Sequence, residues 1–492
     1  MGINSPHIVS IHILDDDSLL NIFYLYRPFF LGEDENDYSR LEGGRKNWDE
    51  GNWWYRLAQV SQRWRNLIFG SASYLRLSLV CTNGTPVENM LTHSPPLPLT
   101  VDYYDKDGIT TEDEEGILLA LQQRHRVRHL RLLVPFRILQ KLVMAIDEEF
   151  PILEYLIVLC WSKESEVPLM LPETLQAPNL QHLALQGFTC PIRPRLHPTV
   201  PTAASLVTLN LLILHPSAYF QPNILRQWIS FMPQLECLCI TFDFPVPNRD
   251  VERQLAHAPI TTHITLPNLR LFWFRGASAY LEAVVCRITA PRLERLYIRF
   301  FKQLSFSIPR VLQFMNSTEN LRFDDAKIMV QDKQIFLEMF LRDADPVTYN
   351  FRVRVDCWHL DWQVSSIAQI SNGLSQVCSS VESLTFEHEV HSQSSEGRND
   401  VDPIQWRNLL GSFSNVKSLH VEGLVEELSR CLQVDDGGHP ASVDLLPELQ
   451  ELAYTDAARP SGSDNSHDVF TSFIDARRNT DHPVTVTRVQ PN

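Results

Sequence analysis

One phrase recurs along most of this chain: an apolar residue, two variable positions, an apolar residue, one variable position, an apolar residue. It reads Val127-Leu130-Leu132, Leu153-Leu156-Val158, Leu180-Leu183-Leu185, Leu206-Leu209-Leu211, Leu235-Leu238-Ile240, Leu269-Phe272-Phe274 and Leu293-Leu296-Ile298. It returns at Val381-Leu384-Phe386, Val416-Leu419-Val421 and Leu449-Leu452-Tyr454. The middle residues of the first seven phrases lie 26, 27, 26, 29, 34 and 24 positions apart. A period of this length means one supersecondary unit copied many times, each copy unable to bury its apolar face without a neighbour. At 492 residues and 44% hydrophobic content the chain is too long for one compact core, and a stack of such units answers that problem.

Several phrases are introduced by a Pro-x-Leu pair, at Pro178, Pro233, Pro267, Pro291 and Pro447. Proline ends a preceding helix and leads into extended chain. Between phrases lie segments of helical period: Ile138-Leu142-Ile146, Leu225-Trp228-Ile229, Phe336-Leu337-Phe340, Ile367-Ile370-Leu374 and Trp406-Leu409-Phe413. Strand and helix in alternation give an α/β array with a parallel sheet. Residues 74–456 resemble leucine-rich repeats, and the resemblance implies an irregular solenoid, a horseshoe of parallel strands and helices. The family's Asn or Cys beyond the strand is replaced here by Phe188, Asp243, Ala277 and Phe301. The phrases near Leu321-Phe323 and Phe351-Val353-Val355 are degenerate, and the later steps, 384 to 419 to 452, lengthen to 35 and 33. Polar loops are expected at His391 to Asp402 and Asp435 to His439. Residues 457–492 read as a polar tail with one short helix around Val469 to Arg477 and an extended end.

Ahead of the repeats stand two apolar helical runs. In Ile13 to Tyr26, Leu19, Ile22, Phe23 and Tyr26 form a stripe that starts at Asp15, Asp16 and Asp17, where carboxylates complement the helix dipole, and stops at Pro28. In Trp53 to Phe69, Trp54, Leu57, Ser61, Trp64 and Ile68 fall at steps of three and four, with Val60 and Leu67 beside them. Ser61 is placed to cap a helix, so this run is expected to be two short helices meeting at Val60-Ser61. The arrangement resembles an F-box: Leu14, Leu19, Ile22 and Phe23 match its first helix, and Val60, Ser61, Trp64 and Arg65 its Val-Ser/Cys-x-x-Trp-Arg pair. Tyr74-Leu75 stands where the family has an aromatic or leucine before its next strand. The proline usual after the first Leu is Asp15, and residues 28–52 form an inserted polar loop within this 1–73 module.

The formal net charge is -16, from 43 Lys and Arg against 59 Asp and Glu, which argues against a general affinity for nucleic acid or anionic membrane. Nine cysteines stand singly with no C-x-x-C, the pattern of reduced thiols in a cytoplasmic or nuclear protein. No apolar stretch approaches the length of a membrane span, and the acidic start is not a secretory signal. The sequons at Asn83 and Asn316 are then read as chance matches.

No phosphate loop, G-x-S-x-G elbow or H-E-x-x-H occurs. Glu387-His388-Glu389-Val390-His391 has the wrong spacing for a zinc site, and Asp102, Asp105, Asp107, Gly108 and Asp113 miss the calcium-loop register. No metal, cofactor or catalytic residue is therefore assigned. The more informative residues alternate with the buried ones of the middle repeats: Trp273 and Arg275; Arg295, Tyr297 and Arg299; Arg322; Arg352 and Arg354. Arginine with aromatic residues is the composition of a binding hot spot, here for an acidic or phosphorylated segment of a target. The opposing explanation is a solvated strand face compensated by nearby acids.

An F-box-like module followed by a leucine-rich-repeat-like solenoid resembles the substrate receptors of Skp-cullin-F-box ubiquitin ligases. The resemblance implies that Leu14, Leu19, Ile22, Phe23, Trp54, Leu57, Val60, Trp64 and Leu67 build or present the surface for a Skp-type adaptor, and through it a cullin. The solenoid would hold the target, with no catalysis in this chain. A repeat scaffold outside any ligase, or an enzyme with a site assembled from distant residues, are the competing expectations.

Overall fold

A computed structural model of the chain describes residues 14–26, 52–104, 108–160, 169–172, 175–188, 204–213, 215–244, 263–318, 320–342, 349–389, 401–432, 445–455, 470–478 and 482–489. The inserted loop up to residue 51, the loop from Asp435 to His439 and the first part of the polar tail lie outside them. The chain forms two compact units, Met1–Pro191 with Thr199–Ser205 and Ile192–Pro198 with Leu206–Asn492.

Unit 1 opens with three helices, Asp16–Tyr26, Trp53–Ala58 and Gln62–Gly70. Ser61 is extended and its hydroxyl accepts from Trp64 N at 3.2 Å, so the second helix run is broken where the serine cap stands. Five strands follow: β1 (Leu79–Cys81), β2 (Leu99–Tyr104), β3 (Val127–Val134), β4 (Tyr155–Cys160) and β5 (His182–Gln186). They lie side by side in chain order and pair in parallel. The helices Val87–His93, Thr111–Gln122 and Phe136–Ala145 connect the first of them. Asp113, examined above for a cation loop, is an intramolecular tie. It closes a capping box with Thr110 and accepts from Gly84 N at 2.7 Å.

Unit 2 continues the rhythm with β6 (Thr208–Ile213), β7 (Cys237–Phe242), β8 (Ile264–Thr265), β9 (Leu271–Gly276), β10 (Ile288–Thr289) and β11 (Arg295–Phe300). β8 and β10 form a small parallel pair of their own. Then come β12 (Asp325–Gln331), β13 (Gln334–Phe340), β14 (Phe351–Asp356), β15 (Ser383–Glu389), β16 (Ser418–Glu422), β17 (Glu451–Thr455) and β18 (Thr485–Arg488). All ten phrases place their middle residue in a strand. The buried alternate residues meet a helical layer: Phe242 and Phe274 pack on Tyr280 of the helix Ser278–Val285, Phe272 on Phe314 of Pro309–Asn316, and Phe386 on Trp406 of Pro403–Leu410. Each unit is thus a leucine-rich-repeat-like α/β stack.

Two kinds of hydrogen bond register one repeat on the next, both on the side where the strands begin. Just before the strands, one carbonyl accepts from two successive N–H groups of the next repeat: Glu236 O from Arg270 and Leu271 at 2.8 and 3.0 Å, and Lys417 O from Gln450 and Glu451 at 2.8 and 3.0 Å. At the Pro-x-Leu corners, a polar side chain of one repeat donates to the proline carbonyl of the repeat before it. Asn179 reaches Pro151 O at 2.6 Å and Ser205 reaches Pro178 O at 3.3 Å in unit 1. Asn268 reaches Pro233 O at 3.2 Å and Thr318 reaches Pro291 O at 3.3 Å in unit 2.

The array departs from expectation between β11 and β15. The strand order there is β11-β14-β13-β12-β15, with β13 antiparallel to both neighbours and every other pairing of these strands parallel. Phe336, Leu337 and Phe340, expected on a helix, belong to β13. Ile335, Leu337 and Met339 are buried on one face and Phe336 and Glu338 on the other. A strand buried on both faces loses the alternation that would betray it, and its short apolar run mimics a helical turn. The tail's extended end is β18, paired in parallel with β17 behind the helix Thr471–Arg478.

Candidate protein-interaction surfaces

In the N-terminal helices the sequence stripe divides into an interior and an exterior. Leu19, Phe23, Trp54 and Trp64 are buried, with the Phe23 and Trp64 rings 4.9 Å apart, edge to face. Leu14, Leu57 and Leu67 are half-buried. Ile22 and Val60 face outward, and with them Leu25 at 78% exposure and Tyr26 at 60%; Tyr26 belongs to the stripe and Leu25 does not, and neither is in the set expected to meet an adaptor. A signal existed: Leu19 to Tyr26 is apolar nearly all the way round, wider than one buried face requires.

Charged groups fix how the helices meet. Asp15 caps the first helix, accepting from Ser18 N at 2.7 Å, and that bond holds its carboxyl below the usual carboxylate range. The first helix therefore starts from a side-chain cap. Arg63 bridges Asp16 at 2.7 Å and donates to Leu14 O at 2.6 Å, tying the third helix to the start of the first. Trp54 Nε1 donates to Ser78 O at 3.0 Å. Buried Asn52 exchanges hydrogen bonds with Val80 of β1, at 3.2 and 3.1 Å, so the helices are anchored on the first strand.

On the sheet of unit 2, pairing register lines the predicted residues into two rows. One runs Cys239, Trp273, Tyr297, Arg352, Glu338, Lys327, and the other Thr241, Arg275, Arg299, Arg354, Phe336, Met329. Trp273 and Tyr297 meet edge to face at 5.5 Å, and Tyr297 Oη donates to Tyr349 O at 3.0 Å. Arg295 and Arg322 are not in these rows: Arg295 opens β11 opposite Leu271, and Arg322 lies off the strands. Arg322 is exposed in the coil before β12, because the strand starts at Asp325.

Acids from neighbouring strands lie among the arginines. Arg275 pairs with Asp243 at 3.0 Å. Arg299 and Arg354 both direct Nε to Asp356, at 2.8 and 3.0 Å. Arg352 donates through Nε to Glu338 at 2.6 Å, and Lys327 pairs with Glu387 at 2.6 Å. Glu338 is wholly buried, so Arg352 serves first to neutralise it. Burial and the neighbouring Arg299 hold the Arg275 and Arg354 guanidiniums below their ordinary range. Sequence reasoning missed Glu338, which comes from a strand whose order it could not foresee, and Asp356, although its place two residues past Arg354 puts it on the same strand face.

Exposed aromatic rings stand past the end of β14, Trp358 just beyond the strand and Trp362 in the first turn of the helix Leu360–Gly373. Lys302 lies over Trp362 at 3.4 Å and Lys333 over Trp358 at 4.3 Å, and Trp358 is 69% exposed. Among the described residues, no three His, Cys, Asp or Glu side chains are grouped to hold a metal ion, and no helix is long and apolar enough to cross a membrane.

No family model matches the sequence, and no curated protein matches it. Among solved structures the chain is similar to the leucine-rich repeat-containing protein LegL7 from Legionella pneumophila, at 11% sequence identity and a TM-score of 0.27. That match covers 81% of this chain and 97% of the other.

Proposed function

We propose that this chain is the substrate-recognition subunit of a Skp-cullin-type ubiquitin ligase, in which the N-terminal helices dock an adaptor and the sheet face of unit 2 holds a target. The observation that carries the reading is the outward apolar set Ile22, Leu25, Tyr26 and Val60 on a three-helix group built around Trp54 and Trp64. An apolar surface of this kind on so small a group is the mark of a partner site. In this reading Leu19, Phe23, Trp54 and Trp64 hold the group together, while the exposed set and the uncovered parts of Leu14, Leu57 and Leu67 meet the adaptor. The chain supplies proximity rather than chemistry, presenting target lysines to a separate conjugating enzyme. The compartment expected is cytoplasm or nucleus.

The test is co-purification of the full chain with a Skp-type adaptor. The triple change Ile22→Glu, Leu25→Glu and Val60→Glu should abolish it without altering the unfolding transition. Adaptor binding by the triple variant, or none by the wild type, overturns the reading and leaves the repeat scaffold outside any ligase. That second reading is favoured by Asp15, which caps the helix where the family has proline. The whole chain is required because the anchor of the helices, Asn52 to Val80, lies in β1.

A further inference from the structure

A strand at the margin of a sheet carries N–H and C=O groups with no ladder partner, and left open they invite another strand. At β1, the first strand of unit 1, the margin is closed. The buried side chain of Asn52 donates to Val80 O and accepts from Val80 N, and Trp54 Nε1 donates to Ser78 O, so the groups that β1 turns away from β2 are taken. β18, which pairs with β17 alone, has no such cover. Thr485 and Val489 donate their N–H groups to Gln450 O and Tyr454 O at 2.8 and 2.9 Å, so residues 485, 487 and 489 turn toward β17. Val486 and Arg488 therefore turn N–H and C=O outward, where no described residue meets them. The strand is firmly seated: in the helix before it, buried Arg477 donates to Leu445 O at 2.8 Å and to Pro447 O at 3.2 Å, and Phe470 meets Tyr454 of β17 at 5.4 Å.

The residues of this strand fit one partner in particular. Thr485, Val486, Thr487 and Val489 are β-branched, and all of them with Arg488 are exposed or half-exposed. Laid antiparallel against its own copy with a two-fold axis at Thr487, Val486 faces Arg488 of the second copy, and Arg488 faces that copy's Val486. Each of these pairs can exchange both backbone hydrogen bonds, because their groups already point outward. Thr487 then faces Thr487, a favourable cross-strand pair, and no like charges meet. An axis at Arg488 would set two guanidiniums against each other, and an axis at Val486 would need Val484, which precedes the strand. We propose that β18 pairs antiparallel with β18 of a second copy of this chain, about a two-fold axis at Thr487. The contact is isologous, so it uses the open margin of both copies and stops at a pair.

Sedimentation of the full chain over a series of concentrations tests this. Wild type should pass from monomer to dimer and no further. Val486→Pro removes a donor that β17 does not use, so it should abolish the dimer and leave the unfolding transition in place. Thr487→Lys and Thr487→Asp each set like charges on the axis and should weaken the dimer about tenfold, whereas their equimolar mixture, which opposes a lysine to an aspartate, should regain the lost affinity. Amide exchange at Val486 and Arg488 should slow only where the dimer forms. A wild type that stays monomeric, a dimer indifferent to these changes, or a mixture no tighter than its components overturns the proposal. So does slow exchange in the monomer, which would mean that a segment of the chain itself covers β18. None of these measurements involves the adaptor or a target, so their outcome is independent of the ligase reading.

Discussion

His182 shows how far a single side chain on these sheets can report on its fold. It is buried on β5, its ring stacked on Tyr155 at 4.1 Å, and Tyr155 meets His129 edge-on at 4.5 Å on the far side. Burial, and then the charge of His129, push the His182 pKa down to about 4, against the opposing pull of Glu154. The unfolded chain therefore binds the proton more tightly, starting at a pKa of 6.5, and the stability this burial confers is present above that value. Lowering the pH from 7 to 5 should weaken unit 1, read as faster amide exchange in β4 and β5. His182→Phe, which keeps the stacking and cannot titrate, should flatten that dependence. At this scale the sequence was legible where a residue acts on its own backbone: Ser61 is the cap that its position implied. It was not legible where a pairing joins residues far apart in the chain: Asp356 stands two residues from Arg354, but nothing in the sequence set it beside Arg299, 57 residues away.

Among elements, the phrases marked strands well because their spacing records both the strand and the corner before it. β13 escaped because it is central and buried on both faces, so its polarity carries no stripe, whereas β12 and β14 keep the alternation of a strand with one open face. What holds this irregular block is local and testable. Buried Gln363, on the helix Leu360–Gly373, donates to Gln331 O at 2.9 Å and to Cys357 O at 2.8 Å, joining the end of β12 to the exit of β14. Gln363→Leu strands two carbonyls and should cost about 1–3 kcal/mol. The loss should appear first as reduced amide-exchange protection in β12 and β13; protection unchanged there would show that the hairpin stands without the glutamine.

For the whole molecule, the periodicity carried no sign of two units: the step from Leu183 to Leu209 crosses their boundary and is 26, like its neighbours. Charge is also unevenly used. A chain of net charge -16 repels acidic partners at long range, so capture of an anionic target must rest on contacts inside a local cationic row. Such capture should weaken from 50 to about 300 mM salt as the screening length shortens, and a salt-independent affinity would place the energy in apolar contacts instead. The reordered strands have a consequence for how unit 2 comes into being. In a simple stack each repeat can settle on the one before it, but β12 has no seat next to β11; that place is taken by β14, which the ribosome makes later. Three strands must therefore arrive together, and an odd number of them is what returns the chain to its original direction. Growth of unit 2 from its N-terminal side has a checkpoint at residue 356, before which β11 is an open edge and nothing beyond it can dock.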